Sequence, residues 1–528
     1  MTLAQASGCM ALAIFLSRVL GLIRDAVISA QFGLQTERDA YVAAFIIPDL
    51  LFFLLAGGAL SSAFIPVFTR LWTQGDTEKA WDVFSTLATL MFLLTTAFVV
   101  LAGIFALPII ETLAPGLAPS SQVLAADLSR VILPSQYGFL LGGLMFGTMN
   151  ARKHFLVPAM GPNIYNLGII FGALALTPML GGSIFGLAWG ALTGALLGSL
   201  MIPLFAMVKF GFNFTPRISI SDPEVKRVFK IMLPVVLVLS LPGVYAIVLR
   251  TFGSHFGEGA ISALDIANRI MQAPLGIFGQ SMAIAIFPTL IEMHVKNQSK
   301  EYLAVLSKSL RTVLFLGLFI SALMFVLSED IVRMFNQWGK FSSADTGFVA
   351  QSLAFYSIGV FAWCAHPILM RAFFSMEDSL TPILMGTFTS IVFVGLCFLL
   401  TRFDIGFGYA GLALSVSLAA VLLLILLLLG LRSRLGRIDG RRILRTLVVG
   451  GVASIVLAAV IWWMQRHIVF PEGVYGNFAS AGKVLLLSLA GFWLYVFIGK
   501  KSGLEEAEYM KRLVPWREKA SNPPDESR

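Results

Sequence analysis

The sequence predicts an all-α polytopic membrane protein of about 14 transmembrane helices, with two parallel six-helix lobes around a central cavity and two extra C-terminal helices. Three observations predict it. Apolar runs recur at about 20 residues or more, the length a helix needs to cross hydrocarbon and too long for barrel strands. The chain is 57% hydrophobic and only 13% charged over 528 residues, with mean hydropathy +0.85, more apolar surface than a soluble fold of this length hides. Glycines and prolines also recur at a nearly constant offset, as an internal duplication would leave them.

The spans follow in order. Span one, 8–32, is apolar but contains Arg18, Gly21, Arg24 and Asp25. Span two, 40–68, follows Arg38-Asp39 and contains Pro48, Asp49, Gly57 and Pro66. Span three is 83–109. Span four, 124–149, holds Arg130 and Pro134. Span five, 155–178, opens near Pro158 and carries Pro162, Asn163 and Asn166. Span six, 183–208, repeats Gly186, Gly190, Gly194 and Gly198, a seam of small residues that lets helices approach closely. Span seven, 228–252, has Pro234 and Pro242 and ends at Leu249-Arg250. Span eight, 260–290, carries Asp265, Arg269, Pro274, Gly279 and Pro288. Spans nine to twelve are 304–328, 347–373 (with Pro367), 381–401 (opening near Pro382) and 408–431. Spans thirteen and fourteen, 444–464 and 478–499, complete the set. The prolines can kink their helices, as static bends or as hinges.

Cations orient the chain. Loops after even-numbered spans carry 20 Lys and Arg, including Arg70, Arg152, Arg432 and Arg437, against six after odd-numbered spans. By the positive-inside rule both termini are cytoplasmic. The net charge of +9 is therefore mostly topology, and no nucleic-acid partner is implied. The basic loop Arg432–Arg445 reads as a positive-inside loop or as a surface for anionic lipid headgroups. Cys9, Cys364 and Cys397 form no CxxC, and the five histidines have no ligand spacing, so no metal and no cofactor are expected. Met1–Ser7 lacks the basic start of a signal peptide, so span one is expected to be retained.

Gly57 and Pro66 precede Gly279 and Pro288 by 222 residues, and Pro158 precedes Pro382 by 224. Spans one to six and seven to twelve then form two copies of one unit with the same topology, as in transporters built from parallel repeats. The expected organisation is an N-terminal lobe over 1–220, a C-terminal lobe over 221–435, two extra helices over 436–500, and a partly disordered cytoplasmic tail over 501–528.

Charge inside the spans points to the site. A charged side chain at the bilayer centre costs about 2.5–3.5 kcal/mol on insertion scales, so it usually faces a bundle interior or wet cavity. Arg18 and Asp25 share a face but lie two turns apart, about 10 Å. A bend or unwinding at Gly21 would let Arg18 and Arg24 converge on one ligand, with Asp25 supporting them; the alternative is a structural ion pair plus snorkelling. Asp265 precedes Arg269 by four, a favourable helical pair that is either self-satisfied or presents Arg269 to the cavity. Asp39 with Arg38 reads as a gate or a capped helix end, and Asp49 as buried or cavity-lining. Asn163 and Asn166 read as interhelical donors. Arginine forks match phosphate and carboxylate oxygens. There is no GxxxxGK[ST] loop, HExxH, catalytic triad or carboxylate pair, which argues against an ATP-driven motor or an enzyme.

Ser17–Asp25, Phe32-Gly33, Asp39-Ala40-Tyr41, Pro48 and Gly58–Pro66, with Ala267-Asn268-Arg269, Pro274-Leu275-Gly276 and Pro288, resemble the MviN/MurJ family. The resemblance runs through nearly the whole chain. It implies a bacterial inner-membrane flippase of the multidrug/oligosaccharidyl-lipid/polysaccharide exporter superfamily, moving lipid II or a related polyprenyl-pyrophosphate lipid outward by alternating access. It further implies substrate-binding arginines at Arg18, Arg24 and Arg269, matching acids at Asp25 and Asp39, and a lipid-tail groove in spans thirteen and fourteen. Membrane lipids and cell-wall synthesis enzymes are the implied partners. The chain departs from the pattern in having Phe52 and Phe53 where many relatives have arginines, Gly57 where they have glutamate, and no match to the sodium-binding acids of some relatives in spans seven and eleven. The rival readings are a flippase for another lipid-linked oligosaccharide, a cation-coupled drug exporter of the same fold, a non-transporting cell-wall scaffold and a membrane-embedded transferase.

Overall fold

The computed structural model describes residues 3–53, 59–209, 211–402, 406–436, 438–467 and 476–508, with backbone alone at 3–9, 11, 14, 59–62 and 233–242. Gly57, Gly58, Arg437 and the tail beyond Glu508 lie outside the described residues, and so do the side chains of Cys9, Pro234 and Pro242.

Helices run through the described chain. They are α1 (Leu3–Phe32), α2 (Thr36–Ala44), α3 (Ile46–Leu51), α4 (Ala59–Thr73), α5 (Thr77–Ile104), α6 (Ala106–Leu113), α7 (Pro119–Ile132), α8 (Ser135–Ala151), α9 (Leu156–Phe171), α10 (Thr177–Met179), α11 (Phe185–Ala195) and α12 (Ile202–Lys209). There follow α13 (Pro223–Gly253), α14 (Ala260–Pro274), α15 (Ser281–Val295), α16 (Ser299–Val326), α17 (Ser328–Asn336), α18 (Ser343–Ser357), α19 (Val360–Ser375), α20 (Leu380–Leu400), α21 (Ala410–Leu435), α22 (Gly440–His467) and α23 (Gly476–Lys501). Local chemistry sets several boundaries. The Asp76 carboxylate accepts from the Lys79 N–H at 3.2 Å and starts α5. Asp222 accepts from the Glu224 N–H at 2.8 Å, with Pro223 following in the first turn of α13. Both are N-caps that take up otherwise unpaired donors. Pro134 separates α7 from α8, and Pro274 closes α14 ahead of a π-helical turn over Leu275–Gln280.

Ten helices or joined helix runs are long and apolar enough to cross a membrane, and eleven if α18 and α19, bent by 46° at their junction, form one broken span. The chain is a multi-pass membrane protein. Residues 8–32, 40–68 and 228–252, the other three expected spans, are helical where described but are not among these. They are also the segments that carry Arg18, Arg24, Asp25, Asp49 and Arg250. Large apolar side chains such as Phe171, Phe205, Ile391 and Phe497 are exposed, as a lipid-facing surface requires.

The helix α1 is continuous from Leu3 to Phe32. No unwinding occurs at Gly21: the helix runs through this glycine without interruption. A Cβ at Gly21 would meet only Asn166 Nδ2, at 4.0 Å, so nothing there forces a break.

The chain divides into two compact units. The first comprises Met1–Ile270, Val332–Leu353 and Ile383–Ala419. Within it, the glycines of α11 meet those of α9 and the π-helical turn after it. A Cβ on Gly168 would stand 2.5 Å from the Gly194 Cα, and one on Gly190 would stand 2.8 Å from the Gly172 Cα. The seam read from the sequence is thus a backbone-to-backbone packing surface. A second core packs Phe64, Phe68, Trp81 and Phe84 edge-on against one another.

The second unit comprises Met271–Ile331, Ala354–Pro382 and Ala420–Arg528. Here α16 packs against α19 and α22. The Tyr495 hydroxyl donates to the Phe315 carbonyl at 2.9 Å, and Ser454 donates to the Leu318 carbonyl at 3.0 Å. Two ion pairs hold the C-terminal helices: Lys483 with Asp330 at 2.8 Å, and Arg311 with Glu506 at 2.5 Å.

Candidate functional site

Ionised side chains cost least inside an apolar bundle when they gather around one polar cavity and neutralise one another. One such cavity lies within the first unit. It has a volume of about 200 Å³ and is lined by four arginines (Arg24, Arg38, Arg250 and Arg269), three aspartates (Asp25, Asp49 and Asp265), and Tyr41 and Tyr165.

Arg24 is the most constrained of the arginines. Its Nε and Nη2 donate to Asp25 Oδ1 at 2.9 and 2.7 Å, and its Nη1 donates to Asn166 Oδ1 at 3.0 Å. Asn166 in turn donates to the Ser17 carbonyl at 3.1 Å, so α9 fixes the guanidinium on α1. Across the cavity, Arg269 Nε donates to Asp265 Oδ2 at 2.7 Å, and its Nη1 lies 3.7 Å from Asp25 Oδ1. Asp25 is therefore the point on which Arg24 and Arg269 converge. Arg250 Nη1 donates to Asp49 Oδ2 at 2.7 Å. Arg38, only 4% exposed, donates to Ser29 Oγ at 3.0 Å and to the Gly33 carbonyl at 2.9 Å. Its hydrogen-bond partners are neutral groups at the C-terminal end of α1.

Two carboxylates cap helices just beside the cavity. Asp39, 1% exposed, accepts from the Gly259 N–H at 2.6 Å and the Ser262 N–H at 2.8 Å. It caps the N-terminus of α14, where unpaired donors and the helix dipole favour an anion. Reciprocally, Glu258 accepts from the Thr36 N–H at 2.8 Å and the Thr36 hydroxyl at 2.7 Å at the start of α2. These bonds hold the Glu258 carboxyl below its usual range. The offset from Thr36 to Glu258 is 222 residues, the same offset that separates Gly57 and Pro66 from Gly279 and Pro288.

Of the residues expected at the site, Arg24, Asp25, Asp265 and Arg269 line the cavity. Arg18 does not: it is exposed and absent from the lining. With α1 helical throughout, Arg18 and Arg24 are six residues apart and project about 120° apart around the helix. Asp39 is a helix cap behind the cavity wall, and Asp49 is cavity-lining. Asn163 donates to the Ala13 carbonyl at 3.1 Å, so both asparagines of α9 tie it to α1. Arg38 and Arg250, which stand at the ends of expected spans, are both cavity residues as well. The available signal was Asp49, an acid within an apolar span that needed a cation.

The family profile described as "Lipid II flippase MurJ" matches residues 28–482. The chain is 29% identical over 467 residues to the lipid II flippase MurJ of Burkholderia cenocepacia, covering 85% of this chain and 87% of that one. It is 30% identical over 404 residues to a probable lipid II flippase MurJ of Buchnera aphidicola subsp. Acyrthosiphon pisum, covering 76% and 78%. Among solved structures, lipid II flippase MurJ in an inward closed conformation matches with a TM-score of 0.75 at 23% identity, over 93% of this chain and 99% of that one. An inward-facing multidrug resistance transporter of the MATE family and MOP superfamily matches with a TM-score of 0.69 at 16% identity, over 80% and 96%.

Proposed function

The chain belongs to the lipid II flippase MurJ family, and from that premise we propose that it carries lipid II from the cytoplasmic to the outer leaflet of a bacterial inner membrane by alternating access. The six-span repeats, 1–220 and 221–435, are the alternating lobes. Residues 436–500 accommodate the lipid tail. Both termini are cytoplasmic, as the cation bias requires. Cell-wall synthesis enzymes are the natural partners of such a step. The protein moves its substrate and makes or breaks no covalent bond.

One observation carries the reading: four arginines meet in one small cavity, with three aspartates for counter-charge. The cations are held in place before any ligand arrives, so ordering them costs little on binding. A pyrophosphate offers more acceptor oxygens than a carboxylate and can replace Asp25 on Arg24 and Arg269 together. A cationic drug would meet an excess of positive charge instead. An inside-negative potential favours outward movement of negative charge, by about 2.3 kcal/mol per charge per 100 mV.

The test is complementation with Arg24→Ala as the sole copy, alongside direct measurement of lipid II on the outer leaflet. We expect loss of growth and of lipid II exposure with normal membrane expression. Normal growth and exposure with this variant would overturn the assignment.

A further inference from the structure

The cavity has two separate foci of positive charge. Arg24 and Arg269 converge on Asp25. Arg250 stands at another acid, Asp49, and its hydrogen bond to that acid uses one of the five donors a guanidinium carries. Its side chain is 13% exposed and lines the same cavity, so the other donors have access to whatever enters.

The packing of α13 on α3 fixes this second focus. Gly243 and Arg250 are seven apart on α13 and share a face, as Asp49 and Phe53 do at four apart. A Cβ on Gly243 would stand 2.3 Å from Phe53 Cδ2, so the glycine lets Phe53 pack directly against α13. That close approach lies two turns from Arg250 on the same face of α13. Phe52 meets Phe53 edge-on at 5.8 Å between centroids and Phe139 at 5.9 Å, and Phe139 meets the cavity residue Tyr165 at 5.5 Å. The residues that follow α3 are therefore packed as an aromatic cluster, and the cation beside Asp49 comes from α13.

We infer that Arg250, positioned by Asp49, is the specificity-determining cation that makes the cavity select a pyrophosphate over a single phosphate, an inference that rests on the lipid-flipping reading above. A single phosphate is satisfied at the Arg24–Arg269 focus. A second phosphate extends to Arg250 and displaces Asp49 from it. Asp49 holds the guanidinium in place until then.

The test uses the purified full-length protein in nanodiscs, titrated separately with farnesyl pyrophosphate and farnesyl monophosphate. The wild type should prefer the pyrophosphate. Arg250→Ala should lower that preference about tenfold, the worth of one charge-assisted hydrogen bond, with monophosphate affinity little changed. Asp49→Asn, which keeps the cation, should retain the preference. In the Arg250→Ala background, Phe52→Arg should restore part of it, because position 52 lies three residues from Asp49 on the same helix face. Arg250→Gln gives the same reading if the alanine variant does not fold. Unchanged pyrophosphate preference in the Arg250 variants, while Arg24→Ala weakens both probes, would overturn this inference and leave the flippase reading intact. Equal losses for both probes in Arg250→Ala and Asp49→Asn would reduce the pair to a structural tie and also overturn it. Undiminished binding of both probes by Arg24→Ala would instead refute the cavity assignment itself, and this inference with it.

Discussion

Replacing Asp39 by Ala tests the helix-cap arrangement most directly. The carboxylate is 1% exposed and takes the N–H groups of Gly259 and Ser262 at 2.6 and 2.8 Å. Both donors sit on buried residues, and Ala offers neither an acceptor. A buried donor left unpaired costs about 1–3 kcal/mol, so two cost about 2–6 kcal/mol. That exceeds the typical loss of about 1 kcal/mol for an exposed cap, because no water replaces the oxygen here. Even the lower bound is a factor of about thirty in the local opening equilibrium. Hydrogen–deuterium exchange of the peptide spanning 257–264, in the purified protein, reads that factor directly. Asp39→Asn keeps one carbonyl oxygen and should fall between alanine and wild type. If the cap exists in only one of the transport states, the same energy is also a population shift away from that state. Exchange in 257–264 within threefold of wild type for Asp39→Ala would refute the argument, since it would mean the two N–H groups find other acceptors.

Three further predictions follow from the same structure. Gly243→Ala would drive a methyl into the Phe53 ring and should cost about 1–3 kcal/mol as overpacking; a thermal melt should show the loss, and Phe53→Leu in the same chain should recover part of it. The Glu258 carboxyl is held below its usual range by its hydrogen bonds from the Thr36 hydroxyl and N–H, so its cap is fully present above the ordinary glutamate pKa of about 4.3 and is lost as pH falls through the lowered value. The difference in Thr36 amide protection between wild type and Glu258→Ala should thus be constant from pH 8 to 5 and vanish in stronger acid. Lys483→Ala would leave Asp330, whose side chain is 8% exposed, without its cation at 2.8 Å, a loss of about 3–5 kcal/mol for a buried pair broken on one side; a melt within 1 °C of wild type would contradict it.

The helical class and the close packing of spans five and six were legible because they depend on local pattern. Long apolar runs leave no alternative to helices, and glycines four apart have few uses other than close approach. The site was only half legible. Asp265 and Arg269 are four residues apart on one helix, so their pairing could be read directly. The pairs Asp49–Arg250 and Asp39–Ser262 span 201 and 223 residues, and no local periodicity encodes them. Arg18 lies outside the lining of this cavity: its convergence with Arg24 needs a break at Gly21, and a glycine permits a break without demanding one. Arg250 was obscured by its position at the end of a span, where a cation is ordinarily counted toward topology.

The distribution of cavity charge between the two proposed repeats bears on how such a carrier would open. On the first, Arg24 and Arg38 stand against Asp25 and Asp49; on the second, Arg250 and Arg269 stand against Asp265. The first is thus balanced at the cavity, and the second is one positive charge in excess. Asp25–Arg269 and Asp49–Arg250 are the contacts in which this imbalance is satisfied. Parting the repeats without a ligand would leave opposite charges facing each other across a poorly solvated gap, where their attraction is least screened. An anion bound to Arg250 and Arg269 cancels the positive side and removes that attraction. On the proposed function, the aspartates that hold the arginines in place would therefore also hold the empty carrier shut, and the substrate's own charge would weaken the hold.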